Sequence, residues 1–343
     1  MQKTLLIVLL ILTACMPRDQ KKQVAVSSNS FQFLKIYALT DFYRSGLQDA
    51  IIPDFEKDYD CRVELQLYND PEALIRALRS PNADADIIFG IPSSFAASDS
   101  LEGFFLPYSS STNEDLAQDC APDPDDHTMP YGFSHLSVIY NSSLIDNPPA
   151  SFGELQDARF MDSMAILDPF VTGSSRAGIH WIVSIFGTSG YTQMLRALRK
   201  NVSTQHDHPQ DALSALQEGK SKLMIGLSTW PAWQKEIHPQ EPGLDFVLFS
   251  EGSFLYTESL GIHQQSKDPA LAGAFVDYAL SPSAQIMIIY KLGLFPANRK
   301  TMLPPAFSDV PFSARTTNDR LKKDLVFSDT RRWLANWQRH LQP

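Results

Sequence analysis

Apolar and polar positions along the chain fall into short blocks that alternate between the period of a strand and the period of a helix. Residues 31–39 (FQFLKIYAL) read as a buried first strand, Thr40-Asp41 as a helix N-cap signature, and residues 46–58 as a helix. Residues 62–68 (RVELQLY) alternate as a second strand. Asp70-Pro71 opens an amphipathic helix (PEALIRALRS), and residues 85–90 (ADIIFG) form a third strand that ends in a Pro92-Ser93-Ser94 turn. Strand, helix, strand, helix, strand is the unit that builds a parallel sheet.

Residues 106–126 are loop-rich and acidic, and residues 129–140 (MPYGFSHLSVIY) then form one long strand. Asn147-Pro148-Pro149 breaks the chain, and Ser151 with Glu154 makes a capping-box pattern for the next helix. A short strand over 164–167 runs into Asp168-Pro169. The loop 171–176 (VTGSSR) leads to a helix over 177–186, and further helices cover 191–198 and 209–217. A strand over 222–227 ends in a Ser-Thr-Trp-Pro-Ala-Trp loop. A second apolar run, 245–249, ends in Ser-Glu-Gly, and a strand follows over 254–262. Two strands that each end in polar and aromatic residues describe one wall of a cleft, because open α/β sheets bind ligands beyond the carboxyl ends of their strands. The other account of Trp230 and Trp233 is that they fill core. Two capped helices follow, at Asp268-Pro269 and Ser281-Pro282, and Trp333 and Trp337 lie one turn apart on a terminal helix.

The 343 residues suffice for two domains or one large one. A formal charge of −10 with no Lys/Arg stripe argues against a nucleic-acid surface. Lys3 and the short apolar run over 5–12 are far below the roughly 20 residues a membrane span needs, so residues 1–15 read as an export signal. Leu12-Thr13-Ala14-Cys15 resembles a bacterial lipobox, which makes Cys15 the lipidated first residue of the mature chain; an ordinary cleaved signal is the alternative. Residues 16–30 read as a flexible tether. Cys61 and Cys120 remain, either as one disulfide in an oxidising compartment or as two separate buried thiols.

Eight motifs in order carry a resemblance that spans nearly the whole mature chain. They are Pro53-Asp54-Phe55-Glu56 with Cys61, Ala85 to Gly90, Val138-Ile139-Tyr140 with Asn147-Pro148-Pro149, Asp168-Pro169, Phe249-Ser250-Glu251-Gly252, Ser281-Pro282-Ser283-Ala284-Gln285, Phe295-Pro296-Ala297-Asn298 and Trp337-Gln338-Arg339. Together they resemble the type II solute-binding proteins of bacterial ATP-driven importers, and within these the thiamine-binding periplasmic family. The resemblance implies an α/β, two-lobed periplasmic-binding-protein type II fold, each lobe a mixed sheet flanked by helices. Residues 31–132 and 260–343 would form lobe 1 and residues 133–259 lobe 2, joined by two hinge-crossing strands. It also implies a periplasmic, lipid-anchored monomer that hands one small molecule to permease and ATPase subunits, with no cofactor, no metal, no catalysis and no nucleic acid.

The chain departs from that family on the ligand side. Leu39-Thr40-Asp41-Phe42 stands where the family has Tyr-Asp-Ser-Phe, and family tryptophans fall near Gly46 and at Gly293 or Leu294. Gly132-Phe133-Ser134-His135 matches a family Asp-Tyr-Gly-Tyr. Ring surface for a cationic heteroaromatic ligand then has to come from Trp230, Trp233, Phe254 and Tyr256. Thr40, Asp41, Phe42, Ser93 and Ser94 are further candidate ligand contacts. Glu251 and Asp41 each read as a partner for an aminopyrimidine or positive ring, or as a solvated loop carboxylate. Gly173-Ser174-Ser175-Arg176 before a helix reads as an anion site, or as an ordinary Ser cap with Arg176 in solvent. His206-Asp207-His208 reads as a surface loop rather than a metal site. An enzyme of the thiaminase type would need Cys120 as nucleophile with Glu251 or Glu258 as base, in surroundings whose negative charge disfavours a thiolate. Another small organic cation or a phosphorylated solute is the alternative ligand.

Overall fold

A computed structural model describes residues 32–342 apart from 97–100, 102, 121–126, 242 and 314. The export signal, Cys15 and the 16–30 tether lie outside the described residues.

The first half opens with β1 (Gln32–Leu39), α1 (Thr40–Arg44), α2 (Leu47–Tyr59), β2 (Cys61–Tyr68), α3 (Pro71–Leu78), β3 (Ile87–Pro92) and α4 (Ser93–Ala96). Thr40-Asp41 is not a cap for α2: it forms its own short helix, and α2 starts after Gly46, whose φ of 70° breaks the run. The Asp70 carboxylate does cap α3, accepting from the Ala73 N–H at 2.7 Å, with Pro71 at the first turn where its missing N–H costs nothing.

The chain continues through β4 (Met129–Asn141), α5 (Phe152–Leu155), β5 (Met164–Leu167), α6 (Gly173–Leu198), β6 (Val202–His206), α7 (Pro209–Gln217), β7 (Leu223–Leu227), α8 (Trp230–Ile237), β8 (Leu244–Val247) and β9 (Leu255–Ile262). Ser151 Oγ caps α5 through the Glu154 N–H at 3.1 Å, while the Glu154 carboxylate turns to the Ala150 N–H instead of completing the box. α6 holds both helices expected over 177–198, parted at Gly187, whose φ of 69° and ψ of 175° are not helical. The Trp-Pro-Ala-Trp stretch is a helix, not a loop. Pro231 occupies its first turn, the position where proline is pre-organised for a helix.

The chain ends with α9 (Pro269–Ala279), α10 (Pro282–Leu292), β10 (Phe295–Pro296), α11 (Pro305–Ser308) and α12 (Lys323–His340).

The strands run in the order β2-β1-β3-β9-β4-β7-β5-β6, with β8 and β10 also paired to β4. β1, β2 and β3 are parallel, as are β5, β6 and β7, so two parallel blocks flank an antiparallel pair. That pair is β4 and β9. β4 pairs with β9 up to His135 and with β7 from Leu136 onward, so it carries the chain from one block to the other midway along its length. These are the two crossing strands of a type II binding-protein fold. Almost every β4 residue is buried, as expected of a strand covered on both faces.

The terminal helix α12 packs on α6: Trp333 lies against His180 and Tyr191, and the Asn336 side chain donates to the Tyr191 hydroxyl at 2.5 Å. Cys61 and Cys120 are both buried and both free, so the disulfide is absent. Cys61 opens β2 beside α2, whereas Cys120 sits in a 3-10 turn against β4, and each thiol is absorbed by the apolar core around it.

Candidate functional site

The carboxyl end of β1, the ends of β3 and β7, the start of β4 and the first half of β9 converge on one cleft. Its empty space is about 830 Å³, the open mouth included. α1 supplies Asp41, Phe42 and Arg44, the start of α6 supplies Gly173 and Ser174, α8 supplies Trp230 and Trp233, and the end of α10 supplies Lys291.

The polar centre is Glu258 on β9. Its Oε2 accepts from the Tyr131 hydroxyl at 2.6 Å and its Oε1 from the Tyr256 hydroxyl at 2.7 Å. Both tyrosines are buried. The β4–β9 register slips between Pro130 and Gly132, which makes Tyr131 the extra residue of a bulge and aims its ring across the pair. A second slip between Phe89 and Ile91 leaves Gly90 at φ 83° on the cleft wall, where a Cβ would lie 3.7 Å from the Tyr131 hydroxyl. Burial raises the Glu258 carboxyl above its ordinary value, opposed by the two phenols, which stabilise the ionised form. Burial and the Glu258 charge push both phenols well up, so they act as donors throughout the neutral range.

Trp230 and Trp233 are fixed from behind. The Trp233 indole N–H donates to the Tyr290 carbonyl at 2.8 Å, and its ring fills the space left by Gly293, where a Cβ would meet it at 2.9 Å. The Trp230 ring sits likewise against Gly226. Both indoles are core residues on one side and cleft wall on the other, so the two accounts of them describe two faces of one ring.

At the mouth, Asp41 on α1 meets His208, which precedes α7, with Oδ1 and Nδ1 3.3 Å apart. Burial raises the Asp41 carboxyl, against the opposing pull of His208 and Arg44. The start of α6 faces the cleft through Ser174, whose hydroxyl is buried without a hydrogen-bond partner. Unpaired buried hydroxyls are costly, and one that lines a cleft is poised for a ligand.

Six of the expected contacts therefore line the cleft: Asp41, Phe42, Ser174, Trp230, Trp233 and Tyr256. The other seven have structural partners. Thr40 Oγ1 donates to the Tyr68 carbonyl, tying α1 to the end of β2. Ser93 Oγ accepts from the Thr257 N–H and Ser94 Oγ donates to the Gly173 carbonyl, so both hold the cleft rim together. Ser175 Oγ donates to the Leu167 carbonyl. Arg176 is neither an anion ligand in the cleft nor solvated: it is 1% exposed, its guanidinium lies 3.4 Å over the Phe95 ring, and its Nε donates to the Pro169 carbonyl at 3.2 Å. Glu251 caps α5 by accepting from the Phe152 N–H at 3.0 Å. Phe254 is buried against His180 in the core.

Among the described residues, no three His, Cys, Asp or Glu side chains converge as metal ligands. His206 Nε2 is 2.9 Å from Thr204 Oγ1, while His208 turns to Asp41. Cys120 is buried and its thiol is pushed up by burial and Asp119, which leaves no thiolate to pair with Glu251 or Glu258.

The sequence model of the bacterial extracellular solute-binding proteins matches residues 83–324. The chain belongs to this family. The solute-binding protein is 24% identical over 318 residues to the thiamine-binding periplasmic protein of Brucella suis biovar 1 (strain 1330), covering 92% of this chain and 93% of that one. It is 24% identical over 313 residues to the protein of the same description from Escherichia coli (strain K12), covering 89% and 92%. Among solved structures it resembles a periplasmic thiamin binding protein, with a TM-score of 0.80 at 22% identity over 92% of this chain and 98% of that one. Iron-bound HitA from Pseudomonas aeruginosa shares the fold at a TM-score of 0.72 and 16% identity, over 88% and 99%. The protein is thus a bacterial extracellular solute-binding protein.

Proposed function

We propose that the cleft captures thiamine, a thiamine phosphate or a closely related pyrimidine cation. The observation that carries this reading is Glu258, a carboxylate held by two phenols among Trp230, Trp233 and Phe42. A cationic aromatic ring placed there meets aromatic faces, each contributing about 0.5–2 kcal/mol when water is excluded, and a negative charge that the empty protein stabilises poorly. The names carried by the relatives at 24% identity support the same ligand. Lys291 and Arg44 also line the cleft, with no carboxylate within ion-pair distance among the described residues, and Ser174 stands at the N-terminus of α6. A phosphate ester on the ligand would find donors there.

In this reading the two blocks on either side of β4 and β9 are lobes that close on the ligand, and the importer reads the closed form. Cys15 carries a lipid anchor, residues 16–30 form the tether, the protein works as a monomer, and the ligand leaves chemically unchanged. A thermal-shift panel of thiamine, its phosphates, other organic cations and phosphorylated metabolites tests it. A ligand at a hundred times its dissociation constant adds about 2.7 kcal/mol, so thiamine or a phosphate of it should give the largest shift. A larger shift with an unrelated cation or sugar phosphate would replace the ligand while leaving the binding role intact.

A further inference from the structure

A second groove, of about 700 Å³ with its open side included, lies outside the cleft between α3 and α12. Arg76 and Arg79 face it from α3, Arg331 and Thr330 from α12, and Arg176 from the start of α6, with Glu72 the one carboxylate in its wall. Arg176 Nη2 lies 3.5 Å from Glu72 Oε1, so that charge is already engaged. Arg76, Arg79 and Arg331 are exposed, and no carboxylate among the described residues lies within ion-pair distance of them. On a chain of net charge −10, where neighbouring Arg332 pairs with Asp329 at 3.0 Å, three unpaired guanidiniums around one groove are a concentrated positive field. The buried His180 hydrogen-bonds to Thr330 at 3.3 Å, and burial first and the Arg176 charge second bring its pKa down to about 3.

We propose that this groove binds a small multivalent oxyanion of the pyrophosphate or polycarboxylate class, separate from the solute cleft. Guanidinium forks match the paired oxygens of such anions, and bidentate charge-assisted hydrogen bonds favour them over chloride. Because Arg76 and Arg79 ride on α3 and Arg331 on α12, an anion held by both sets ties a helix of the first sheet block to the helix that covers α6. Glu72 limits the affinity by its own charge.

The test is calorimetric titration of the full chain with inorganic pyrophosphate at constant ionic strength. Saturable binding of one pyrophosphate is expected, weakened roughly tenfold or more by the double substitution Arg79→Gln with Arg331→Gln, strengthened by Glu72→Gln, and unchanged by Lys291→Gln in the cleft. None of these side chains is buried, and an unchanged circular dichroism spectrum and unfolding midpoint confirm that each variant folds. Absence of saturable binding by the unsubstituted chain would overturn the proposal. So would pyrophosphate binding that survives the double substitution and disappears with Lys291→Gln, which would place the anion in the cleft.

Discussion

The Tyr131 hydroxyl donates to Glu258 Oε2 at 2.6 Å across the two strands that join the sheet blocks. The bulge that aims Tyr131 at this carboxylate lies on the crossing strand itself, so the polar centre of the cleft is built into the strands that join the two sheet blocks. Trp230, Trp233, Asp41 and Ser174 line the same cleft from elements on both sides of those strands.

The first prediction concerns the charge on Glu258. Its folded-state pKa is raised, so ionising it costs stability, and that cost appears as pH rises from the ordinary carboxylate value through the raised one. Glu258→Gln removes the cost, and the empty protein should hold or gain stability at neutral pH in urea unfolding. The same substitution should weaken binding of a cationic ligand about ten- to a hundredfold, from roughly 1.5–3 kcal/mol per hydrogen bond to a charged group. In the unsubstituted protein, cation affinity should fall as pH drops through the raised Glu258 pKa, a dependence that dissociation constants measured across a pH series would reveal and that the Gln variant should lack.

The second concerns the closeness of α6 to β3. A Cβ on Gly173 would lie 2.5 Å from Pro92 Cβ and 2.9 Å from the Tyr256 hydroxyl. Gly173→Ala should therefore push the start of α6 off the cleft wall, costing about 1–3 kcal/mol of overpacking and weakening ligand binding with it. Paired unfolding and binding curves check both effects.

Glu251 provides a contrast. Its carboxylate caps α5 through the Phe152 N–H, so Glu251→Ala should lower stability by about 1 kcal/mol in chemical denaturation. Ligand affinity in that variant should be unchanged.

The thiols give a fourth test. Cys61 and Cys120 are 2% and 0% exposed and unpaired. Neither should react with a thiol reagent at a useful rate until the chain is unfolded, both should then react, and a reductant should leave the melting temperature where it was.

Much of the fold was legible because each element had a local cause. Asp70, Ser151, Asp268 and Ser281 each cap the helix their spacing announces. The long apolar run over 129–140 became a strand buried on both faces. Half of the site was legible too, since Trp230, Trp233 and Tyr256 follow strand ends or line a crossing. Glu258 lies inside a strand, where a lone acid reads as a solvent-facing residue; only tertiary pairing with Tyr131 and Tyr256 shows otherwise. Glu251 misled for the opposite reason. A carboxylate on a turn looks available, yet its partner is a backbone N–H 99 residues away. The Arg176 side chain is stacked on Phe95, a contact between residues far apart in sequence that no local pattern encodes.

The most direct measurement is calorimetric titration of thiamine into the purified protein and into its Glu258→Gln variant at neutral pH. The account predicts one site, with binding weakened at least about tenfold by the substitution. No binding by the folded, unsubstituted protein at millimolar thiamine, or equal affinity in the two proteins, would contradict it.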